Sequence, residues 1–278
     1  MNRIITTPSA PRLTTAAQAV RLIVRADDMG SSHAANAACL DSCLHGIVRT
    51  VEVMPVCAWF PEAAAWLRQH QDFDVGVHLT LTSEWDQCKW RPLTSVPSLV
   101  NRDGFFYSAI WPNPASTILS ALREQSWQLA EIESEWRAQI ELAQRWIPQV
   151  SHLSAHMGCA QMDSQVQTLA LQLANEYGLG FELEGFTVRS LPLWPAGLSE
   201  ADWPQAFAEI LETLTAGIYL FVEHPGLDCA EMQNMGNPKV AVKRAAVTRT
   251  FTDPAVLDAV RQRGIQLIRY SDLYENKS

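Results

Sequence analysis

Short apolar runs alternate with helix-forming segments along nearly the whole chain, and this alternation restricts the fold more than any other feature. Residues 21–24, 47–54, 74–81, 151–155, 180–183, 218–223 and 265–270 are apolar or β-branched enough for buried strands. Segments with helix signals lie between them. Residues 32–45 are Ala-rich behind Ser31 and Ser32, with Gly46 expected at the C′ position. Pro61 opens a helix over 62–70, Asp163 caps one over 163–177 that Gly178 stops, and 199–215 carries Pro204 near its first turn. Asp253 and Pro254 start another that ends at Gly264. Ile132, Trp136, Ile140, Ala143 and Ile147 form the apolar stripe of a helix over 131–147. Strands alternating with helices pair in parallel and need both faces covered. Seven or so such units suit a barrel better than an open sheet, so the expected fold is α/β, a (β/α) TIM-like barrel forming a single domain over 21–278.

Length agrees: 278 residues, 47% hydrophobic, can bury one sizeable core. Residues 1–20 hold Arg3, Arg12 and two prolines but no apolar stretch, so they are expected as an extension rather than a secretory signal. No apolar run approaches the ~18 residues of a membrane span. A net charge of −9 argues against a general nucleic-acid binder, which would show a basic patch. The cysteines at 39, 43, 57, 88, 159 and 229 include no Cys-x-x-Cys pair, which fits reduced thiols in a cytoplasmic protein.

Two regions interrupt the alternation. Residues 83–115 are rich in proline and carry Trp85, Trp90, Phe105, Phe106, Tyr107 and Trp111. A loop that long is usually functional, and its tryptophans either stack on sugar rings or pack the loop down. Residues 226–252 read as a second long loop.

Chemistry-bearing residues gather where the expected strands end. Val24-Arg25-Ala26-Asp27-Asp28-Met29-Gly30 follows the first strand and precedes Ser31, Ser32 and the first helix. Asp-Asp-x-Gly is good turn chemistry, but two adjacent carboxylates also repel, and a cation is the usual remedy. His78 ends the strand Val75-Gly76-Val77-His78-Leu79, His156 follows Ser151-His152-Leu153-Ser154-Ala155, and His224 ends Tyr219-Leu220-Phe221-Val222-Glu223. In a barrel the carboxyl ends of all strands open on one mouth. His45 and His70 lie near helix ends, where imidazolium suits the dipole, and His33 has no clear role. One carboxylate and two imidazoles bind a divalent ion and leave positions open for water and substrate. A second carboxylate can take the water's proton, and a further histidine can protonate a leaving amine.

Arg25-Ala26-Asp27-Asp28-Met29-Gly30, Val75-Gly76-Val77-His78-Leu79-Thr80-Leu81, His152-Leu153-Ser154-Ala155-His156-Met157-Gly158 and His224-Pro225-Gly226 together resemble the YdjC-like (ChbG) family of carbohydrate deacetylases, in matching order over roughly 21–275. The resemblance implies a distorted (β/α) barrel, one divalent metal ion (Mg2+ or Zn2+) and removal of acetyl groups from N-acetylated sugars such as chitooligosaccharides. It implies Asp28, His78 and His156 as metal ligands, Asp27 as general base and His224 as general acid. The chain departs from the family's commonest pattern in three places. Arg25 stands where Asn is frequent, Ser154 replaces an Asp, and Met157-Gly158-Cys159 replaces a His-rich run. Cys159 has ligand spacing from His156, but the set is complete without it, so a packed thiol is expected. Arg25, Glu52, Glu84, Trp85 and Trp90 are expected to reach or support a pocket for a small carbohydrate, and whether the chain forms a homodimer is open. Two other readings remain at this stage. One is a sugar-binding or regulatory protein that keeps the metal without turnover, against which the second carboxylate Asp27 speaks. The other is a metal-dependent hydrolase of another bond such as a phosphoester, for which Arg25 and Lys89-Trp90-Arg91 leave room.

Overall fold

The first expected strand forms and runs past its apolar residues: β1 spans Val20–Met29 and carries the acidic pair within its own last turn of chain. The structure is a computed structural model, which describes residues 19–85, 87–112, 121–191, 194, 197–236 and 238–274. Most of the expected N-terminal extension, and residues 86 and 113–115 of the first long loop, lie outside the described residues. Beside β1 lie β2 (Thr50–Val53) and β7 (Gly217–Glu223); β3 (Asp74–Leu79), β4 (Val150–Ala155) and β5 (Gly180–Phe181) continue one side and β6 (Arg189–Ser190) the other. The order is β5-β4-β3-β2-β1-β7-β6, all parallel, a curled half-barrel with helices. The last strand, β8 (Gln266–Leu267), pairs with Arg21 and Leu22 of β1, below the point where β2 begins pairing at Arg25.

The expected helices are present with ends shifted by a residue or a few: α1 (His33–Leu44), α2 (Phe60–Gln69), α3 (Leu129–Trp146), α4 (Ser164–Glu176) and α5 (Trp203–Thr213), α2 and α3 starting two residues early. The N-caps read from sequence are in place at three helices: Ser32 accepts from the Ala35 N–H, Asp163 from the Gln165 N–H and Asp253 from the Ala255 N–H. Gly46 has another reason than the one expected. The helix caps at His45, and Gly46 is not at positive φ; a Cβ there would overlap the Phe251 carbonyl.

The second long loop is a correction. Residues 226–252 contain α6 (Ala230–Met235) and α7 (Pro238–Thr252), which lead into α8 (Pro254–Arg263). The periodic signal fails on α7 because Arg244, Thr248 and Thr250 are buried beside Ala241, Ala246, Val247 and Phe251, so polar residues sit on its inward side too. Those threonines bond back to the helix, Thr248 to the Arg244 carbonyl and Thr250 to the Ala246 carbonyl. The last described residues form a short helix that sequence periodicity also missed, α9 (Tyr270–Tyr274).

Strand alternation sorts side chains into two spaces. Leu22, Val24, Val51, Val53, Val75, Val77 and Leu153 join the apolar core under the helices. Their neighbours Arg25, Asp27, Glu52, His78, His152 and Ser154 face the inside of the curl and are all buried. Tyr270 of α9 fills this inner space, its ring 4.0 Å from His152 and nearly parallel to it. Buried polar groups are tolerable only when paired. Here His152 Nε2 meets Glu52 at 2.7 Å, Ser154 donates to Glu52, and Tyr270 accepts from Arg25 at 3.0 Å. Gly76 is needed for room, since a Cβ would overlap Glu52 and His152.

Candidate metal centre and active site

Adjacent residues of a regular strand point to opposite faces, so Asp27 and Asp28 need a local break to serve one site. The break is visible. Pairing of β1 with β2 slips between Ala26 and Met29, and Asp28 stands at φ 71, in the left-handed region that non-glycine residues rarely adopt. The Ser31 hydroxyl donates to the Asp28 carbonyl at 2.7 Å and holds the turn. Gly30 follows at φ 104, with the Met54 carbonyl 3.1 Å from where a Cβ would sit. His156 sits at a similar corner: Met157 and Gly158 after it have φ of 50 and 68.

Asp28, His78 and His156 meet. Asp28 Oδ1 has no hydrogen-bond partner among the described residues and faces His156 Nδ1 at 3.4 Å and His78 Nε2 at 3.8 Å. All three ligand atoms lie within 4.8 Å of one another, and the side chains are buried. Tetrahedral ligands ~2.1 Å from a divalent ion stand ~3.4 Å apart, so the cluster fits such an ion with little adjustment. Each member is held from behind, as ligands of a metal usually are. Arg244 donates to Asp28 Oδ2 at 2.6 Å, Ser154 Oγ lies 2.7 Å from His78 Nδ1, and Glu84 lies 3.1 Å from His156 Nε2. Because Ser154 gives its proton to Glu52, its oxygen accepts from His78 Nδ1, leaving the Nε2 lone pair toward the centre. Burial and the neighbouring His156 push the His78 pKa far down, so it is neutral. Burial also disfavours a charged His156, but Glu84 and Asp28 outweigh it and lift that pKa to about 10. A cation bound here therefore displaces a proton from His156.

Asp27 lies alongside, its Oδ2 3.8 Å from His78 Nε2. Arg25 grips it twice, Nε to Oδ1 at 2.8 Å and Nη2 to Oδ2 at 2.9 Å, while Arg25 Nη1 reaches Glu182 at 2.8 Å. Burial raises the Asp27 pKa and Arg25 opposes it; the balance is about 6. Burial also raises Asp28, but Arg244 and His224 overcome it and hold that carboxyl well below the ordinary range. The His224 side chain is 42% exposed and lines a cavity with Glu223 and Arg244. What desolvation it suffers lowers its pKa, but Asp28 and Glu223 raise it on balance.

The remaining expected residues divide. Glu84 touches the centre, and Trp85 lies under Arg244, whose Cζ is 5.2 Å from its ring. Arg25 supports Asp27 from inside. Glu52 is fully buried behind Ser154, on the closed side of the centre. Trp90 is also buried, its Nε1 donating to the Thr82 carbonyl at 2.7 Å, so it packs the loop down. Cys159 is a packed thiol that donates to the Leu79 carbonyl at 3.1 Å. His33 pairs with Glu62 at the surface. Sequence reasoning missed Arg244, Glu182 and Tyr270. Glu182 lies near the end of the strand expected over 180–183 and just past the observed β5, a signal like the one that singled out the histidines; Arg244 had none, lying in a stretch read as loop.

The chain is a parallel α/β half-barrel with a buried Asp-His-His cluster that could hold a metal ion at the carboxyl ends of its strands. Residues 21–262 match the family model described as YdjC-like protein, and the chain belongs to that family. A carbohydrate deacetylase of Geobacillus stearothermophilus is 27% identical over 260 residues, covering 91% of this chain and 98% of the relative. A chitooligosaccharide deacetylase of Serratia marcescens is 28% identical over 267 residues, with 91% and 98% covered. The crystal structure of an Enterococcus faecalis protein described as a cellobiose-phosphate cleavage protein superposes with a TM-score of 0.73 at 23% identity, covering 92% of this chain and 99% of that one. Among the described residues no helix is long and apolar enough to cross a membrane.

Proposed function

We propose that the chain is a metal-dependent deacetylase of an N-acetylated carbohydrate. The observation that carries this reading is the Asp28-His78-His156 cluster with a second, differently tuned aspartate beside it. Family membership and relatives named carbohydrate and chitooligosaccharide deacetylase support it. Asp28 Oδ1, His78 Nε2 and His156 Nδ1 would hold the ion; two imidazoles with one carboxylate suit zinc, and magnesium is the second choice. When bound, the ion supplies Lewis acidity toward a water and toward the amide carbonyl.

Everything else falls to the chain's own groups. Asp27, with a pKa of about 6, accepts the proton of the attacking water. Arg25 keeps it aimed through two contacts and stays charged throughout. His224, its pKa raised, donates to the nitrogen as the C–N bond breaks, so an amine and acetate leave. Purified protein should release acetate from at least one member of a panel of N-acetylated mono- and oligosaccharides. Chelator should abolish release, and zinc or magnesium should restore it. Release that a chelator leaves untouched, or none from any sugar with either metal, sinks the reading.

A further inference from the structure

The Arg244 guanidinium is committed on one side only. Its Nη2 donates to Asp28 Oδ2 at 2.6 Å, and its Cζ lies over the Trp85 ring, 5.2 Å from the centroid. Its Nη1 is buried and has no hydrogen-bond partner among the described residues, in a side chain only 9% exposed. Leaving a donor of a buried cation unmet is unfavourable, and buried polar groups nearly always have a partner. The same side chain lines a cavity of about 510 Å³ together with His224, Glu223, Lys243, Trp194 and Trp203. The cavity is thus lined both by the residue that holds Asp28 and by the expected acid.

The charges around this cavity balance. Arg244 is already paired with Asp28, which leaves Lys243 and the His224 imidazolium against Glu200 and Glu223 on the described lining. Such a lining favours an uncharged, oxygen-rich occupant over a polyanion. Trp194, stacked on Trp203 at 4.4 Å and 7°, adds an apolar wall, and its Nε1 is taken up by Glu223 at 2.7 Å. A sugar has both the hydroxyl or carbonyl acceptors that Nη1 lacks and the apolar ring faces that indoles accept.

We propose that Arg244 is a substrate-binding residue: its Nη1 donates to a hydroxyl or carbonyl oxygen of the sugar in this cavity, while Nη2 keeps Asp28 turned toward the two imidazoles. The proposal rests on the deacetylase reading above and adds the residue that ties the sugar to the metal centre. Because Nη1 meets an oxygen already present in the ground state, its loss appears in binding more than in turnover.

The test uses full-length, metal-loaded protein and the panel sugar that gives the fastest acetate release. Arg244→Met keeps the side chain's length and removes its donors. It is assayed at saturating metal with occupancy checked by elemental analysis, because losing the Nη2 contact loosens Asp28 and costs metal affinity. At full metal occupancy it should raise KM about tenfold or more, a larger change than any in kcat. Calorimetric titration of the same sugar into Asp27→Asn protein, with and without Arg244→Met, should show the same loss of affinity without turnover. Added guanidinium ion should recover part of the sugar affinity of Arg244→Ala. Unchanged KM and unchanged affinity would overturn the proposal, as would a defect that tracks metal loss and vanishes with excess metal, because Arg244 would then serve Asp28 alone. If wild-type protein hydrolyses no panel sugar, the deacetylase reading itself fails and this role goes with it.

Discussion

Asp27 and Asp28 are neighbours in sequence with opposite electrostatic settings. Burial acts on both, but Asp28 has Arg244 and His224 around it and stays ionised, whereas Arg25 offsets burial only partly at Asp27, which sits at about 6. Two acids whose surroundings drive their pKa values apart are suited to separate tasks. Asp27→Asn should therefore keep its metal and fold normally, and lose turnover by ~10²–10⁴-fold, the usual worth of a positioned acid–base group. Asp28→Asn should bind metal weakly, with an activity loss that excess metal partly repairs. Metal content by elemental analysis, set beside kcat on one sugar, decides the matter. An Asp27→Asn protein that arrives without metal would mean the two roles are exchanged.

Elements position these residues through a few close approaches. The helix α7 brings Arg244 to Asp28, and its far end is docked on the segment after α1, where the Ile47 N–H donates to the Phe251 carbonyl at 3.1 Å. Gly46 permits that approach by lacking a Cβ. Gly46→Ala must push α7 outward, and overpacking of this kind costs about 1–3 kcal/mol. The expected result is a lower urea midpoint with an unchanged m-value. An unchanged midpoint would show that the contact yields without cost. On the other side of the site, the slip in β1 pairing and the left-handed Asp28 do for one strand what α7 does for the whole edge: they turn side chains toward the mouth that a regular element would hide.

Across the whole molecule, the inside of the curl is polar where many barrels stack aliphatic layers. Arg25, Asp27, Glu52, Asp74, His152 and Ser154 are buried there, closed off by Tyr270. Its charge state should control acid stability. Burial raises the Glu52 pKa, but His152 and Arg25 outweigh it and set it at about 2. An unfolded glutamate titrates near ~4.3. The depressed group thus contributes stability that is fully present above the unfolded value and is lost as pH falls through about 2. Denaturant melts at a series of pH values should show this acid limb in wild type and a flatter one in Glu52→Gln. That variant should also lose about 3–5 kcal/mol at neutral pH, because it leaves the charges facing Glu52 without their partner. A Glu52→Gln protein with the wild-type acid limb would remove Glu52 from the network's pH response.

Local chemistry made much of this visible in advance. Alternation of strand-like and helix-like segments announced the parallel sheet because strands joined through covering helices run the same way, and Ser32, Asp163 and Gly264 marked helix ends because capping is settled within a turn of chain. The strand-end positions of Asp28, His78 and His156 pointed to one rim, since parallel strands all end on the same side. Tertiary structure alone decided the rest. Which aspartate faces the imidazoles depends on a φ of 71 and a register slip set by β2. Glu52 looked like a mouth residue and lies beneath the centre, because inward-facing positions lead down into the curl as well as up to its mouth. Arg244 carried no local signal at all. Its place at Asp28, 216 residues away in sequence, exists only because α7 buries polar residues against the site, and a pattern that reads burial as apolar cannot see such a helix.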